Sequence, residues 1–116
     1  MNNYKELKVW QKSVELSTKI YQITTGFPKD ELYGLTSQLR RTAVSVPSNI
    51  AEGSGRGSNK DFSHFLSIGL GSAFELETQV IIAGKLQMVK QDDATEIINE
   101  VNEIQKMIRG LQKAIK

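Results

Sequence analysis

Between Phe62 and Ala83 the chain places an apolar or small residue at strictly alternating steps of four and three: Phe62, Leu66, Gly69, Ala73, Leu76, Val80 and Ala83. That period belongs to an α-helix packed lengthwise against other helices, whereas a half-buried strand would need a period of two. Two further rows flank it. One is Phe65, Ile68, Ser72, Glu75, Gln79, Ile82 and Leu86; the other is Leu70, Phe74, Ile81 and Met88. A helix apolar on so many sides is covered by more than one neighbour. The pattern predicts a helix from Asn59 to about Val89, opened by the S-x-x-D capping signal of Ser58 to Asp61. Gly69, Gly71, Ser72 and Ala73 cluster at its middle, where small residues let a second backbone approach closely.

The other periodic runs are also helical. From Lys5 to about Gly26, apolar residues fall on two neighbouring stripes: Leu7, Trp10, Val14 and Tyr21, and Val9, Leu16, Ile20, Ile23 and Phe27. Gly26-Phe27-Pro28 stops that helix, since glycine accepts a C-cap conformation and proline cannot continue the ladder. A second helix is expected to start near Pro28 to Asp30 and to carry Leu32, Leu35, Leu39, Ala43, Val46 and Ile50 on one face as far as Gly53. Pro47 lies inside it, leaving the Ala43 carbonyl without its N–H partner and predicting a kink, with a break at Val46 as the alternative. Ser45, Ser48 and Asn49 are the nearby groups that could bond to freed carbonyls. Gln91-Asp92-Asp93 starts a fourth helix, with Glu96 completing a capping box on Asp93 and Ile97, Val101, Ile104, Ile108, Leu111 and Ile115 as its apolar seam. Four helices with short connections and no strand-like alternation predict one all-α domain, residues 1–116, an antiparallel up-and-down four-helix bundle.

Composition narrows the setting. The chain has 116 residues and no cysteine, so neither a disulfide framework nor a thiolate zinc site is expected, and the cytoplasm is the default location. No window approaches the roughly 20 apolar residues of a membrane span, and the N-terminus lacks the apolar core of a signal peptide. A formal net charge of +2 is mild for a protein living on phosphate contacts. It is unevenly spread: residues 1–60 hold nine Lys/Arg against five Asp/Glu, and residues 61–116 hold six against eight.

QLRRTAVSVPSNIAEGSGRGS, residues 38–58, and FLSIGLGSAFELETQVIIA, residues 65–83, together with LKVWQKSVEL and FPKDELYGL, resemble the S23 or 23S rRNA intervening-sequence protein family over nearly the whole chain. The resemblance implies an up-and-down four-helix bundle. Members of that family are similar to the pentameric accessory proteins of diversity-generating retroelements, so the resemblance also implies a ring-shaped homopentamer and admits RNA or a nucleic-acid-processing protein as partner. It supplies no catalytic residues and no cofactor.

The residues themselves offer two candidate surfaces. Lys5, Lys8, Lys12 and Lys19 fall close to one side of the first helix, and a ring of subunits would multiply that basic stripe into a substantial field. Arg56 and Lys60 flank the glycine-serine turn from Gly53, where backbone amides at a helix start suit an anion, although the spacing is not that of a nucleotide-binding loop. An ordinary solvated face and a plain interhelical turn are the competing readings. Arg40 and Arg41 either face RNA or pair with Glu52, Glu75 or Glu77. Glu75 inside an apolar seam favours a structural polar network of Arg40, Arg41, Asn49, Glu52 and Glu75, because a buried carboxylate is costly unless paired. His64 is the only histidine, and no nucleophile, base and metal set can be assembled around it. The leading expectation is a non-enzymatic homo-oligomeric scaffold, with RNA held at a multiplied basic surface as one form of it. The alternative is a protein-interaction module with no affinity for nucleic acid.

Overall fold

A computed structural model describes residues 3–115. After a 3-10 turn, Tyr4–Glu6, come four helices: α1 Lys8–Thr24, α2 Leu35–Ser54, α3 Asn59–Lys85 and α4 Gln91–Ala114, with a second 3-10 turn, Lys29–Glu31, between α1 and α2. The described residues contain no strand, and the helices form the expected up-and-down bundle, 43 × 24 × 20 Å. One contiguous core runs through it. Ile20, Leu39, Ile50, Phe62, Leu66, Leu76, Ile97, Ile104 and Ile108 are among its fully buried side chains, drawn from the apolar stripes of all four helices.

Several helix ends differ from the sequence expectation. Lys5 lies in the 3-10 turn, and Leu7 is extended, so the α-helix begins only at Lys8. Pro28 to Asp30 does not open α2. The chain makes its 3-10 turn there, and α2 starts at Leu35, whose backbone N–H donates to the Glu31 carboxylate at 3.0 Å. Ser58 accepts from the Asp61 N–H at 3.1 Å, as the capping signal predicts. α3 ends at Lys85 rather than Val89 because Gln87 adopts φ 61° and the Met88 N–H folds back on the Ala83 carbonyl at 3.0 Å. That is a left-handed helix stop built without the glycine that usually marks one. The Asp93 capping box does not form; Lys90 is the N-cap of α4 and makes no side-chain cap bond.

α2 is continuous through Pro47. The Ala43 carbonyl that the proline frees is not taken by Ser45, Ser48 or Asn49. Instead the Ser17 hydroxyl of α1 reaches it at 2.9 Å, the same distance at which it meets the Ser13 carbonyl of its own helix. Asn49 donates to the Ser45 carbonyl at 2.8 Å. α2 also lies tight on α3. A Cβ added at Gly53 would sit 2.6 Å from the Phe65 Cβ and 3.0 Å from Phe62 Cδ1, so glycine is the residue that lets the two helices meet. At the middle of α3 the approach is looser: a Cβ at Gly69 would lie 3.6 Å from the Val46 backbone oxygen of α2, an ordinary contact, and one at Gly71 would meet nothing within 4 Å.

Candidate interaction surfaces

The α1 lysines do not form one free basic stripe. Lys12 is 2.8 Å from Glu103, and Lys19 bridges Glu96 and Glu100 at 2.8 and 2.9 Å, all three carboxylates projecting from α4. The hydrogen bond to Glu103 raises the Lys12 pKa, and those to Glu96 and Glu100 raise that of Lys19. Both ammonium groups therefore stay charged and answered. Lys5 and Lys8 are exposed and have no carboxylate partner among the described residues, but Lys5 precedes the helix and does not share its phase.

The turn after α2 holds its arginine in place. Arg56 Nη2 lies 2.8 Å from Glu52 Oε2, and its guanidinium sits over the Phe65 ring at 4.8 Å. Lys60 is exposed and unpaired among the described residues. The expected network of Arg40, Arg41, Asn49, Glu52 and Glu75 does not assemble. Arg40 Nε donates to Thr24 Oγ1 at 2.8 Å and the guanidinium covers Tyr21, Asn49 serves Ser45, Glu52 serves Arg56, and Arg41 is exposed. Glu75 has no burial cost to offset, because it lies on the outward side of α3.

That outward side is the least ordinary surface of the molecule. Ile68, Phe74, Ile81, Ile82 and Leu86 are 39–59 % exposed, so both rows flanking the core seam of α3 turn partly to solvent. Between Phe62 and Gly84 the helix carries two charges, Glu75 and Glu77, and Glu77 is engaged by Gln105 at 2.9 Å. By length and composition alone α3 could cross a bilayer, contrary to the expectation that no stretch is apolar enough. Its core seam, however, is buried inside the bundle, chiefly against α2 and α4. The Ser45 and Ser72 hydroxyls bond to each other beside this surface, tying α2 to its edge.

α4 sorts its charges by face. Glu96, Glu100 and Glu103 turn toward α1, whereas Arg109 and Lys113 flank the start of α3 beside Gln112. Gln112 Nε2 donates to the Ser67 hydroxyl at 2.8 Å and to the Ser63 carbonyl at 3.1 Å, fixing that end of the seam. Arg109 and Lys113 escape a simple count of basic residues because their helix is acidic in total; splitting the α4 charges by helical angle would have found them. No group of three or more metal-ligating side chains occurs among the described residues.

A family profile described as 23S rRNA-intervening sequence protein matches residues 5–110. The chain belongs to that family. Among solved structures it is similar to a crystal structure of a protein with unknown function from the S23 ribosomal protein family of Bacteroides thetaiotaomicron VPI-5482. The TM-score is 0.81 at 25 % identity, covering 90 % of this chain and 98 % of the other. A search of curated proteins finds no match. The S23 fold is thus the frame on which the exposed α3 face and the sorted charges of α4 are displayed.

Proposed function

We propose that this S23-family chain is a non-enzymatic scaffold that assembles with copies of itself through the outward face of α3. The observation that carries this is the set of five large apolar side chains, from two neighbouring rows, left partly exposed on one helix, with Glu75 as the single exposed charge among them. Contiguous apolar surface of this kind on a small domain marks a contact site. Gly71 projects no side chain into it and has open space around its Cα, so a second helix can come close. A homopentamer is the assembly that the family resemblance implies, and the absence of cysteine suits a cytoplasmic setting. The pairing of Lys12 and Lys19 with α4 carboxylates speaks against RNA held at the α1 stripe; the alternative reading is a protein-interaction module with no nucleic-acid affinity.

Sedimentation velocity at micromolar concentration tests the assembly. The native chain should sediment as an oligomer, and Ile68→Glu with Ile82→Glu should sediment as a monomer with unchanged helical circular dichroism. A native chain that is monomeric throughout, or an unaffected double variant, would overturn the reading.

A further inference from the structure

The groove between the first turns of α3 and the last turns of α4 is chemically unlike the rest of the surface. It comprises two recesses of about 420 and 320 Å³ that share Ser63. Lys60 and His64 line the first; Arg109, Gln112 and Lys113 line the second. No carboxylate lines either one. The two recesses along the α1–α4 seam make the contrast, since Glu15, Glu100 and Glu103 line one and Asp93 and Glu96 the other. Among the described residues Lys60, Arg109 and Lys113 have no ion-pair partner, as is true of most of the lysines and arginines; these three differ in lining recesses that no carboxylate shares.

We propose that this α3–α4 groove binds the phosphate backbone of a nucleic-acid strand. Three features select that ligand. First, Arg109 and Lys113 are four residues apart and so rise about 6 Å along α4, and Lys60 on α3 lines the adjoining recess, which gives several cations along the groove rather than a point charge. A repeating anion matches a series of cations. Second, the neutral groups between them are donors: the Ser63 hydroxyl makes no bond among the described residues, and Asn59 stands at the rim. Phosphate oxygens accept from such groups without reading sequence. Third, no carboxylate lines either recess, so a strand of repeating anions meets no like charge along the groove. The Arg109 guanidinium stands 5.8 Å from the ring centre of Phe74, so Arg109 lies where the groove borders the outward α3 face.

The proposal goes beyond self-association and does not need it, because the groove is complete within one chain. Binding is read by fluorescence anisotropy with a labelled single-stranded RNA of about 20 nucleotides, longer than one compact site covers. Three neutralised phosphates predict a slope of log affinity on log salt of about −2. Lys60→Gln with Arg109→Gln and Lys113→Gln should lose about tenfold or more at low salt and flatten the slope, whereas Lys5→Gln with Lys8→Gln should change affinity by less than about twofold. All the substituted side chains are exposed, and circular dichroism checks that each variant keeps its helices. The proposal fails if the native chain shows no salt-dependent binding, if the triple variant keeps it, or if the Lys5 and Lys8 variant is the one that loses it. It fails equally if polyglutamate of matched charge binds as tightly as RNA. Sedimentation of the same samples shows whether assembly has changed, so failure of the groove and failure of the scaffold reading are told apart.

Discussion

α2 and α4 both close the bundle against α1, but at different depths. α2 docks at the level of the backbone: the Ser17 hydroxyl reaches the Ala43 carbonyl itself, and on its other side Gly53 admits Phe65 to within a methyl's breadth. α4 meets α1 through the far ends of long side chains, Lys12 and Lys19 to Glu96, Glu100 and Glu103, with recesses left between the helices. Contacts between backbones fix distance and height, because interiors are close-packed and yield little. Contacts between flexible charged tips fix polarity and leave the spacing adjustable. The two sides of one bundle should therefore respond very differently to similar substitutions.

Gly53→Val is expected to give the largest effect, a loss of about 2–3 kcal/mol, because its branches would need space the Phe65 and Phe62 side chains already fill. Urea denaturation with an unchanged m-value measures it. Gly69→Ala, where a methyl would meet only ordinary contacts, should stay within about 1 kcal/mol of the native chain. Equal losses at the two glycines would break the distinction between close and ordinary approach.

Ser17→Ala comes next, at about 1–2 kcal/mol, since it strands a buried carbonyl. In a Pro47→Ala background residue 47 regains its N–H and can serve Ala43, so the same change should cost clearly less. A double-mutant cycle showing no coupling would remove the carbonyl from the account.

The smallest effect belongs to the α1–α4 side. Lys12→Gln with Lys19→Gln should lower Tm by at most a few degrees at low salt and by nothing in molar salt, as exposed ion pairs do. Both lysines have pKa values raised above 10.5 by their carboxylate partners. Their contribution is therefore fully present below pH 10.5 and disappears only as pH climbs through the higher folded values. Thermal melts of native and double-variant chains should differ by a constant amount from neutral pH up to that value, where the partner carboxylates are ionised, and converge above it. A difference already shrinking near neutrality would mean that other groups hold this seam.

Much of this was legible in the residues. The four-three alternation from Phe62 to Ala83 gave the longest helix and its core seam, and the Ser58 signal gave its start. Ends were harder where the deciding group is not the usual one: Glu31 serves Leu35 from outside α2, and Gln87 takes the left-handed position that a glycine would have advertised. The rows flanking the core seam were readable as apolar, yet which way Ile68 or Ile81 faces depends on how many neighbours arrive, and that is a property of the assembly of helices. The lysine pairs join residues 77 or more positions apart, so no local pattern reveals them. In consequence the candidate surface moves. Lys12 and Lys19 leave it, Lys60 stays, and Arg109 and Lys113, hidden within an acidic helix, enter.

Pro47 leaves one further mark. A helix with an unbroken ladder can slide along its neighbours by a turn and keep every backbone bond, so ordinary helices carry no ruler of their own. The freed Ala43 carbonyl is a graduation on α2, and the Ser17 hydroxyl is the only group on α1 that meets it. A slip of one turn toward the C-terminus of α1 would take that oxygen away from both Ser17 and Ser13, a penalty of about 1–3 kcal/mol; a slip the other way would offer it the buried Ser13 hydroxyl instead. In that sense the proline is a one-sided stop: it sacrifices one bond within α2, and the freed carbonyl resists sliding of α2 toward the C-terminus of α1.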